Sequence, residues 1–226
     1  MSIITIATSK GGAGKTTLAT LLCGAACAEG LSVGAIDADY NHSLRDWLVT
    51  FGTYPVDVRH ELDEGALVPL AGELEERHDL VVIDTAGAAM QATVFAVGCA
   101  DLVLVPVQLS SADVVEAVKT MRLIESAAAM TKRAIPARVV LTDYQPYTNI
   151  AAHTEAELER SGTPVLPTRL RRLVGFKEMT FTGEVPLTGP AGEGVRSLVD
   201  DLRELGAWPR AAAGRTTRRA GMKIAS

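Results

Sequence analysis

Short apolar segments alternate with amphipathic segments along nearly the whole of this 226-residue chain. Apolar runs of four to six residues, several rich in Val and Ile, are typical of buried strands, and they cover 3–8, 32–37, 80–84, 102–107, 138–142 and 164–167. Helical spacing of apolar residues predicts helices over 18–28, 44–48, 67–78, 112–130, 150–160 and 194–205, with a further helix of small residues before the strand at 102. This alternation predicts an α/β fold with a mostly parallel, twisted sheet that is covered by helices on both faces.

The pattern predicts a single domain over residues 1–209, because no linker or repeat interrupts it before Trp208. From 210 to 226 the composition changes to Ala, Gly and Arg, with five basic residues and no acidic one. We expect this stretch to be a flexible basic tail. The net charge of the whole chain is −5, so its body is not expected to coat nucleic acid indiscriminately.

Membrane and secretion signals are not recognisable in the sequence. The first residues enter a strand directly, and no uninterrupted apolar run approaches the roughly 18 residues that a bilayer span requires. The three cysteines, at 23, 27 and 99, form no C-x-x-C pair, which fits a reducing compartment. We therefore expect a cytoplasmic protein that does not bind membranes.

The strongest chemical signal is the glycine-rich segment between the first strand and the first helix, which reads S-K-G-G-A-G-K-T-T from 9 to 17. Its glycines let backbone N–H groups turn inward, and the positive end of the following helix faces the same point, so a polyphosphate is favoured there. Lys15 is expected to contact the β- and γ-phosphates, and the Thr16 hydroxyl to ligate Mg²⁺. The predicted nucleotide-binding residues are Gly11, Gly12, Ala13, Gly14, Lys15, Thr16 and Thr17.

Acidic residues follow two of the predicted strands, at the edge where parallel α/β sheets bind their ligands. Asp84 ends the run L-V-V-I-D, a Walker B arrangement in which a carboxylate holds Mg²⁺ directly or through water. Gly87 follows in D-T-A-G, and its N–H is a candidate sensor of the γ-phosphate. Asp37 and Asp39 lie at the end of the second strand.

The loop differs from the generic G-x-x-x-x-G-K-S/T pattern, because position 9 is Ser and a second lysine, Lys10, precedes the glycines. In these features it resembles the deviant Walker A loop of the ParA/MinD ATPases, and over about 1–205 the chain is most similar to small ParA-type partition ATPases. The resemblance implies a P-loop NTPase fold, weak intrinsic ATP hydrolysis and ATP-dependent homodimerisation. It also implies that Lys10 reaches across the dimer interface to the partner's nucleotide, as a catalytic residue beside Lys15.

The segment D-A-D at 37–39 resembles the second acidic motif of this family, usually D-x-D-P-Q. In the family the second acid orients the attacking water, which implies a catalytic role for Asp39. The resemblance places Asp37 in the Mg²⁺ shell, so the expected metal set is Thr16, Asp37 and Asp84. Here Tyr40 and Asn41 replace the proline and glutamine, a departure that affects the geometry of the loop rather than the carboxylates.

The choice of base is also indicated. GTP-binding relatives need an Asn/Thr-Lys-x-Asp run, and the nearest string here, T-K-R-A at 131–134, lacks the acid. ATP is therefore the expected nucleotide, with Mg²⁺ as its metal. The strings V-P-V-Q at 105–108 and L-T-D-Y at 141–144 resemble those that line the adenine side in ParA relatives.

Basic residues occur in two groups, each of which could neutralise DNA phosphates without reading sequence. The first contains Arg169, Arg171, Arg172 and Lys177, with no acid between them, and the second is the tail. Either could also be a solvated basic surface. Because ParA dimers bind nucleoid DNA through basic residues late in the chain, the resemblance implies non-specific DNA binding, which we assign to the first group.

The resulting prediction is a cytoplasmic, nucleoid-associated ATPase that partitions or positions a plasmid, chromosome or other cargo. A ParB-like or other adaptor protein would reset it by stimulating hydrolysis. Alternatives are an ATPase that assists conjugative or T-DNA transfer and a MinD-like membrane-cycling ATPase, although the tail holds only Met222 and Ile224 as larger apolar residues, too few for interfacial anchoring. A third class is a metabolic P-loop ligase or kinase, against which Lys10 argues.

Overall fold

The computed structural model describes residues 1–87 and 90–210. Within them, seven strands form one sheet in the spatial order β3-β2-β4-β1-β5-β6-β7, and every neighbouring pair is parallel. The strands are β1 Ser2–Ile6, β2 Val33–Ala38, β3 Val56–His60, β4 Leu80–Thr85, β5 Leu102–Val107, β6 Ala137–Tyr144 and β7 Val165–Arg171.

Eight helices connect or follow the strands in this part of the chain. They are α1 Lys15–Ala28, α2 Ser43–Phe51, α3 Glu64–Arg77, α4 Met90–Cys99, α5 Ser111–Thr131, α6 Asn149–Arg160, α7 Val174–Thr182 and α8 Gly189–Glu204. No helix among the described residues is long and apolar enough to cross a bilayer.

The sheet is buried on both faces, which explains why its strands read as continuous apolar runs. All residues of β1, β2, β4 and β5 are buried. One core packs α1, α2 and α8 against one face, and two further cores pack α3, α4 and α5 against the other. The predicted fold, a parallel sheet with helices on both sides, is confirmed.

Two elements were absent from the sequence-based prediction. Strand β3 extends the sheet at one edge, where its alternating V-D-V-R-H sequence leaves it only half-buried. Helix α7 follows β7, in a region expected to be a connection, and Trp47 fixes it by donating from its ring nitrogen to the Met179 carbonyl, 3.1 Å away. The predicted tail lies outside the described residues except for the exposed Arg210.

Strand order places the candidate chemistry at one crevice. The sheet grows from β1 through β4 towards β2 on one side and through β5 towards β6 on the other, and ligands of such sheets bind where the order reverses, beyond the carboxyl ends of the strands. Ile6 of β1 and Asp37 of β2 both lie beside Asp84 of β4 in the register. The loops after these three strands therefore meet at one point.

Candidate nucleotide site

The glycine loop is held in shape by side chains from neighbouring strands. Gln108 Nε2 donates to the Gly12 carbonyl at 3.0 Å, and Thr142 Oγ1 donates to the Ala13 carbonyl at 3.1 Å. Gly14 precedes α1 with a left-handed φ of 97°, which glycine adopts without steric cost. α1 begins at Lys15, directly after the loop.

A cleft of about 550 Å³ opens over the loop. It is lined by Ser9, Gly11, Gly12, Gly14, Lys15, Thr16, Thr17, Asp39, Tyr40, Asn41, Ser43, Ala86 and Gly87. The structure thus brings together the loop residues predicted from the sequence, apart from the buried Ala13, with Asp39 and Gly87.

Lys15 is buried at the floor of this cleft, and its Nζ donates to the Lys10 carbonyl at 3.2 Å. Burial lowers the pKa of Lys15, while the charges of Asp84 and Asp39 act in the opposite direction. Gly87 approaches so closely that a Cβ there would lie 3.2 Å from Lys15 Nζ and 3.2 Å from the Gly11 nitrogen. A glycine at 87 therefore allows the loop after β4 to contact the phosphate-binding loop.

Thr16 and Asp84 form the candidate metal position. Thr16 Oγ1 donates to Asp84 Oδ2 at 2.7 Å, and Asp84 Oδ1 is buried without a hydrogen-bond partner among the described residues. Burial, and to a lesser extent the charges of Asp37 and Asp39, raises the pKa of Asp84 to about 7, although the Thr16 hydrogen bond lowers it. A hydroxyl beside an unpartnered carboxylate oxygen fits Mg²⁺, which prefers oxygen ligands.

Asp37, the other predicted metal residue, has both carboxylate oxygens engaged by backbone N–H groups. Oδ1 accepts from Asp39 at 3.0 Å, and Oδ2 accepts from Arg45 at 2.9 Å, in the first turn of α2. Its carboxylate therefore fixes the start of α2 and the position of Asp39. Of the two predicted carboxylate ligands, Asp84 is the one with an unpartnered oxygen.

Asp39 lies at the wall of the cleft and is oriented by Asn41. Its Oδ1 accepts from both the backbone nitrogen and Nδ2 of Asn41, each at 2.9 Å. Asn41 stands where the related motif has glutamine. The carboxylate expected to orient water is thus held through one oxygen by the residue two positions later.

The first part of the glycine loop, Ser9 and Lys10, is hydrogen-bonded to side chains of α5. Lys10 Nζ lies 2.6 Å from Asp113 Oδ2, and Ser9 Oγ donates to Glu116 at 2.5 Å. Ser110 also donates its hydroxyl to Asp113. Sequence reasoning missed these partners, although S-x-x-D at 110–113 is a recognisable helix-start signal that would have drawn attention to Asp113.

A second cleft, of about 400 Å³, lies on the other side of the loop and shares Gly12, Gly14 and Thr17 with the first. Its apolar lining consists of Leu18, Leu21, Leu170, Leu173 and Phe176, and its polar lining includes Gln108, Thr142 and Asp143. An apolar cleft with a few convergent polar groups suits a flat aromatic base. The polar groups come from the two strings, at 105–108 and 141–144, that resemble the adenine side of ParA relatives.

The four basic residues assigned to DNA do not form one group of unpaired charges. Arg169 Nε donates to Glu155 at 2.8 Å, and Arg172 Nε donates to Asp143 at 2.9 Å. Arg171 and Lys177 have no ion-pair partner within 1–87 and 90–210. Arg171, Arg172 and Lys177 all line the second cleft, next to the loop.

Comparisons with known proteins agree on one family. The sequence model of a family described as VirC1 protein matches residues 1–188. The chain is 29% identical over 208 residues to maintenance of carboxysome distribution protein A of Halothiobacillus neapolitanus, covering 89% of this chain and 93% of that protein. It is 28% identical over 170 residues to protein ParA of Rhizobium radiobacter, covering 74% and 76%.

Solved structures share the fold. An aspartate-to-alanine variant of McdA from Cyanothece, in complex with ATP, superposes with a TM-score of 0.77 at 16% identity, over 94% of this chain and 99% of that chain. At this identity the likeness concerns the fold alone. The matches to VirC1 and ParA and the shared fold confirm the resemblance that the loop predicted.

Proposed function

This chain belongs to the VirC1 protein family, and on that premise we propose that it is a ParA-like ATPase that hydrolyses ATP slowly and cycles between two states. One observation carries the proposal: Lys15, Thr16 and Asp39 line a single cleft, with Asp84 hydrogen-bonded to Thr16. These residues can bind phosphates, hold a cation and orient a water molecule. A partner-stimulated switch, unlike a metabolic catalyst, needs few catalytic groups beyond these.

Each residue has a distinct task in this proposal. Lys15 and the backbone N–H groups of the loop would bind the phosphates. Thr16 and Asp84 would hold Mg²⁺, which would supply positive charge beside the phosphate oxygens. Asp39 orients the attacking water, and Gly87 lies close enough to Lys15 for its N–H to contact the γ-phosphate. Asp37 acts by fixing Asp39 and the start of α2.

Lys10 is the proposed contact to a second subunit. Its side chain is partly exposed and bound to Asp113, and its two chain neighbours, Ser9 and Gly11, line the cleft. In the ATP state it would leave Asp113 for the nucleotide of the partner, so that ATP would hold two copies of the chain together. The resting contact with Asp113 supports this role because it keeps the ammonium group beside, rather than inside, its own site.

We assign DNA binding to Arg171 and Lys177, the two cations of the predicted group that have no ion-pair partner among the described residues, with Arg172 beside them. Since all three line the second cleft, a bound base would order their surroundings and dimerisation would double their number. DNA binding would therefore depend on ATP. In the cell we propose a cytoplasmic, nucleoid-associated protein that moves a cargo and is reset by an adaptor protein.

The decisive experiment measures ATP hydrolysis with and without duplex DNA. The proposal expects a low rate that rises with DNA and adaptor, and an ATP-dependent dimer in sedimentation. Lys10→Ala should stay folded and bind nucleotide but remain monomeric. High turnover without DNA or partner would favour a metabolic enzyme, and stimulation by anionic vesicles instead of DNA would favour a MinD-like cycle.

A further inference from the structure

Two histidine rings contact each other beside the acidic loop. The ring centroids of His42 and His60 lie 3.8 Å apart, with the planes tilted by 57°. His42 immediately precedes α2, and its backbone N donates to the Asp39 carbonyl at 3.0 Å. His60 ends β3, and in the register it lies opposite Asp37. The histidine pair therefore joins the end of the loop to the edge strand.

The arrangement of His42 has two unfavourable features. Its φ is 53°, in the left-handed region that residues other than glycine rarely occupy. His42 Nδ1 and His60 Nε2 are both buried without a hydrogen-bond partner in the described chain. Strained backbone and unsatisfied polar atoms persist where the surroundings impose them, often at functional sites. A glycine at 42 or an apolar pair would have avoided both costs.

We propose that the ring contact between His42 and His60 is a positioning device for Asp39. The related acidic motif has a proline after its second acid, and proline restricts the backbone by fixing φ. Here Tyr40 stands in that place and supplies no such restriction. The histidine pair restrains the same turn from its other end. This inference rests on the proposed function, because it takes Asp39 to be the residue that orients water.

A continuous series of contacts connects the rings to the carboxylate. His42 closes the turn through its hydrogen bond to the Asp39 carbonyl, and Asn41 within that turn holds Asp39 Oδ1 through two donors. Asp37 holds the backbone at both ends of this stretch, and the His60 ring restrains it between them, at His42. Without the ring the left-handed backbone at His42 is free to relax, and the carboxylate of Asp39 then shifts. The phosphate loop is held independently by Gln108 and Thr142. Hydrolysis should therefore fall without loss of nucleotide affinity.

The test compares His60→Ala with His60→Phe in single-turnover hydrolysis of ATP and in affinity for a non-hydrolysable analogue, both with Mg²⁺. His60→Ala should lower the rate about tenfold, since a displacement of about 1 Å in a catalytic group can cost up to roughly a hundredfold. Analogue affinity should stay within about twofold. His60→Phe keeps a ring in contact and should hydrolyse ATP at close to the wild-type rate. His153→Ala, on the exposed face of α6, is the matched histidine control.

Several results would overturn the positioning role. One is wild-type hydrolysis by His60→Ala, and another is an equal loss of affinity and rate, which would indicate a general structural defect. Loss of rate in His60→Phe as large as in His60→Ala would assign the effect to the ring nitrogen instead. If His60→Ala does not fold, His42→Gly must show the selective loss of rate, because glycine adopts the φ of 53° at this position without the ring contact. Failure of the proposed function looks different, because then the wild-type protein itself neither binds nor hydrolyses ATP.

Discussion

Lys10 Nζ lies 2.6 Å from Asp113 Oδ2, and the carboxylate side chain is only 3% exposed. In the proposed dimer, Lys10 would leave Asp113 for the partner subunit and strand a buried charge, and breaking such a pair is unfavourable. Replacing Asp113 by Asn removes that charge and keeps a group that can accept from Ser110. We predict that Asp113→Asn dimerises with a slowly hydrolysed ATP analogue at about five- to tenfold lower protein concentration, as measured by sedimentation equilibrium.

The matched control for this prediction is Glu116→Gln. It weakens the neighbouring contact of Ser9 with α5 but leaves Lys10 on Asp113, so its dimerisation should change little. Weaker dimerisation of Asp113→Asn than of the wild type would mean that Asp113 supports the dimer instead of restraining Lys10.

Variants of Lys15 and Asp39 should separate the binding of ATP from its hydrolysis. Lys15→Ala removes the buried ammonium group from the floor of the cleft and should abolish tight ATP binding. Asp39→Ala leaves the loop and its hydrogen bonds intact, so it should bind ATP normally, lose hydrolysis by on the order of a hundredfold, and accumulate as a dimer. Equilibrium binding and phosphate release measure the two effects. Full turnover in Asp39→Ala would place the water-orienting acid elsewhere, with Asp84 the next candidate.

The buried Asp84 should make the ligand-free protein less stable as the pH rises. Its pKa is about 7 in the folded state, against an ordinary value of 3.8, chiefly because of burial. Below pH 3.8 the carboxyl is protonated in both states. Between that pH and 7 the unfolded chain releases the proton first, so stability falls, and above 7 the whole penalty is present.

Asp84→Asn carries no such charge, so its free energy of unfolding should lack this component of the pH dependence. Between about pH 4 and 8 the wild type should lose on the order of 2–4 kcal/mol relative to Asp84→Asn, measured by urea unfolding without nucleotide. Mg²⁺ with ATP should restore stability to the wild type above pH 7 but not to the variant. If the unfolding free energies of the wild type and Asp84→Asn changed in parallel with pH without ligand, the assignment of Asp84 as a buried carboxylate with a raised pKa would be contradicted.

DNA binding should depend on Arg171 and Lys177, which have no ion-pair partner in the part of the chain that the structure describes. With Arg171 and Lys177 from each protomer, a dimer neutralises about four phosphates, and the slope of log affinity against log salt should be about −3 to −4. Arg171→Ala combined with Lys177→Ala should flatten that slope and weaken binding to every duplex alike. Arg160→Ala, an exposed arginine on α6, is the control. Normal binding by the double variant, together with loss of binding on deletion of 211–226, would place the contacts in the tail.

The candidate phosphate site could be located in the sequence because its parts are local. The loop lies between one strand and one helix, and Asp84 ends an apolar run, so spacing alone locates them. The partners of the loop could not be found this way. Asp113 meets Lys10 across 103 positions, an approach that depends on how α5 packs against β5. The capping pattern at the start of α5 is the one local sequence signal that points to Asp113.

Elements at the margins of the sheet were harder to predict for a related reason. β3 is half-buried and short, so its apolar content is low. α7 is held by Trp47, whose contact with Met179 spans 132 positions.

The pairing of Arg172 with Asp143 likewise joins two strand ends, and Asp143 has a φ of 51°. Runs of like charge in a sequence therefore overstate the unpaired charge on the folded surface.

Gln108, directly after β5, and Thr142, in β6, donate hydrogen bonds to the carbonyls of the glycine loop. The loop therefore loses conformational entropy when the protein folds, and ligand binding does not have to supply that ordering. In the proposed function, such a preformed loop would bind the α- and β-phosphates of ATP and ADP alike. Discrimination between the two nucleotides would then depend on the groups beyond the β-phosphate, contributed by Gly87, Asp39 and the Lys10 of a second subunit.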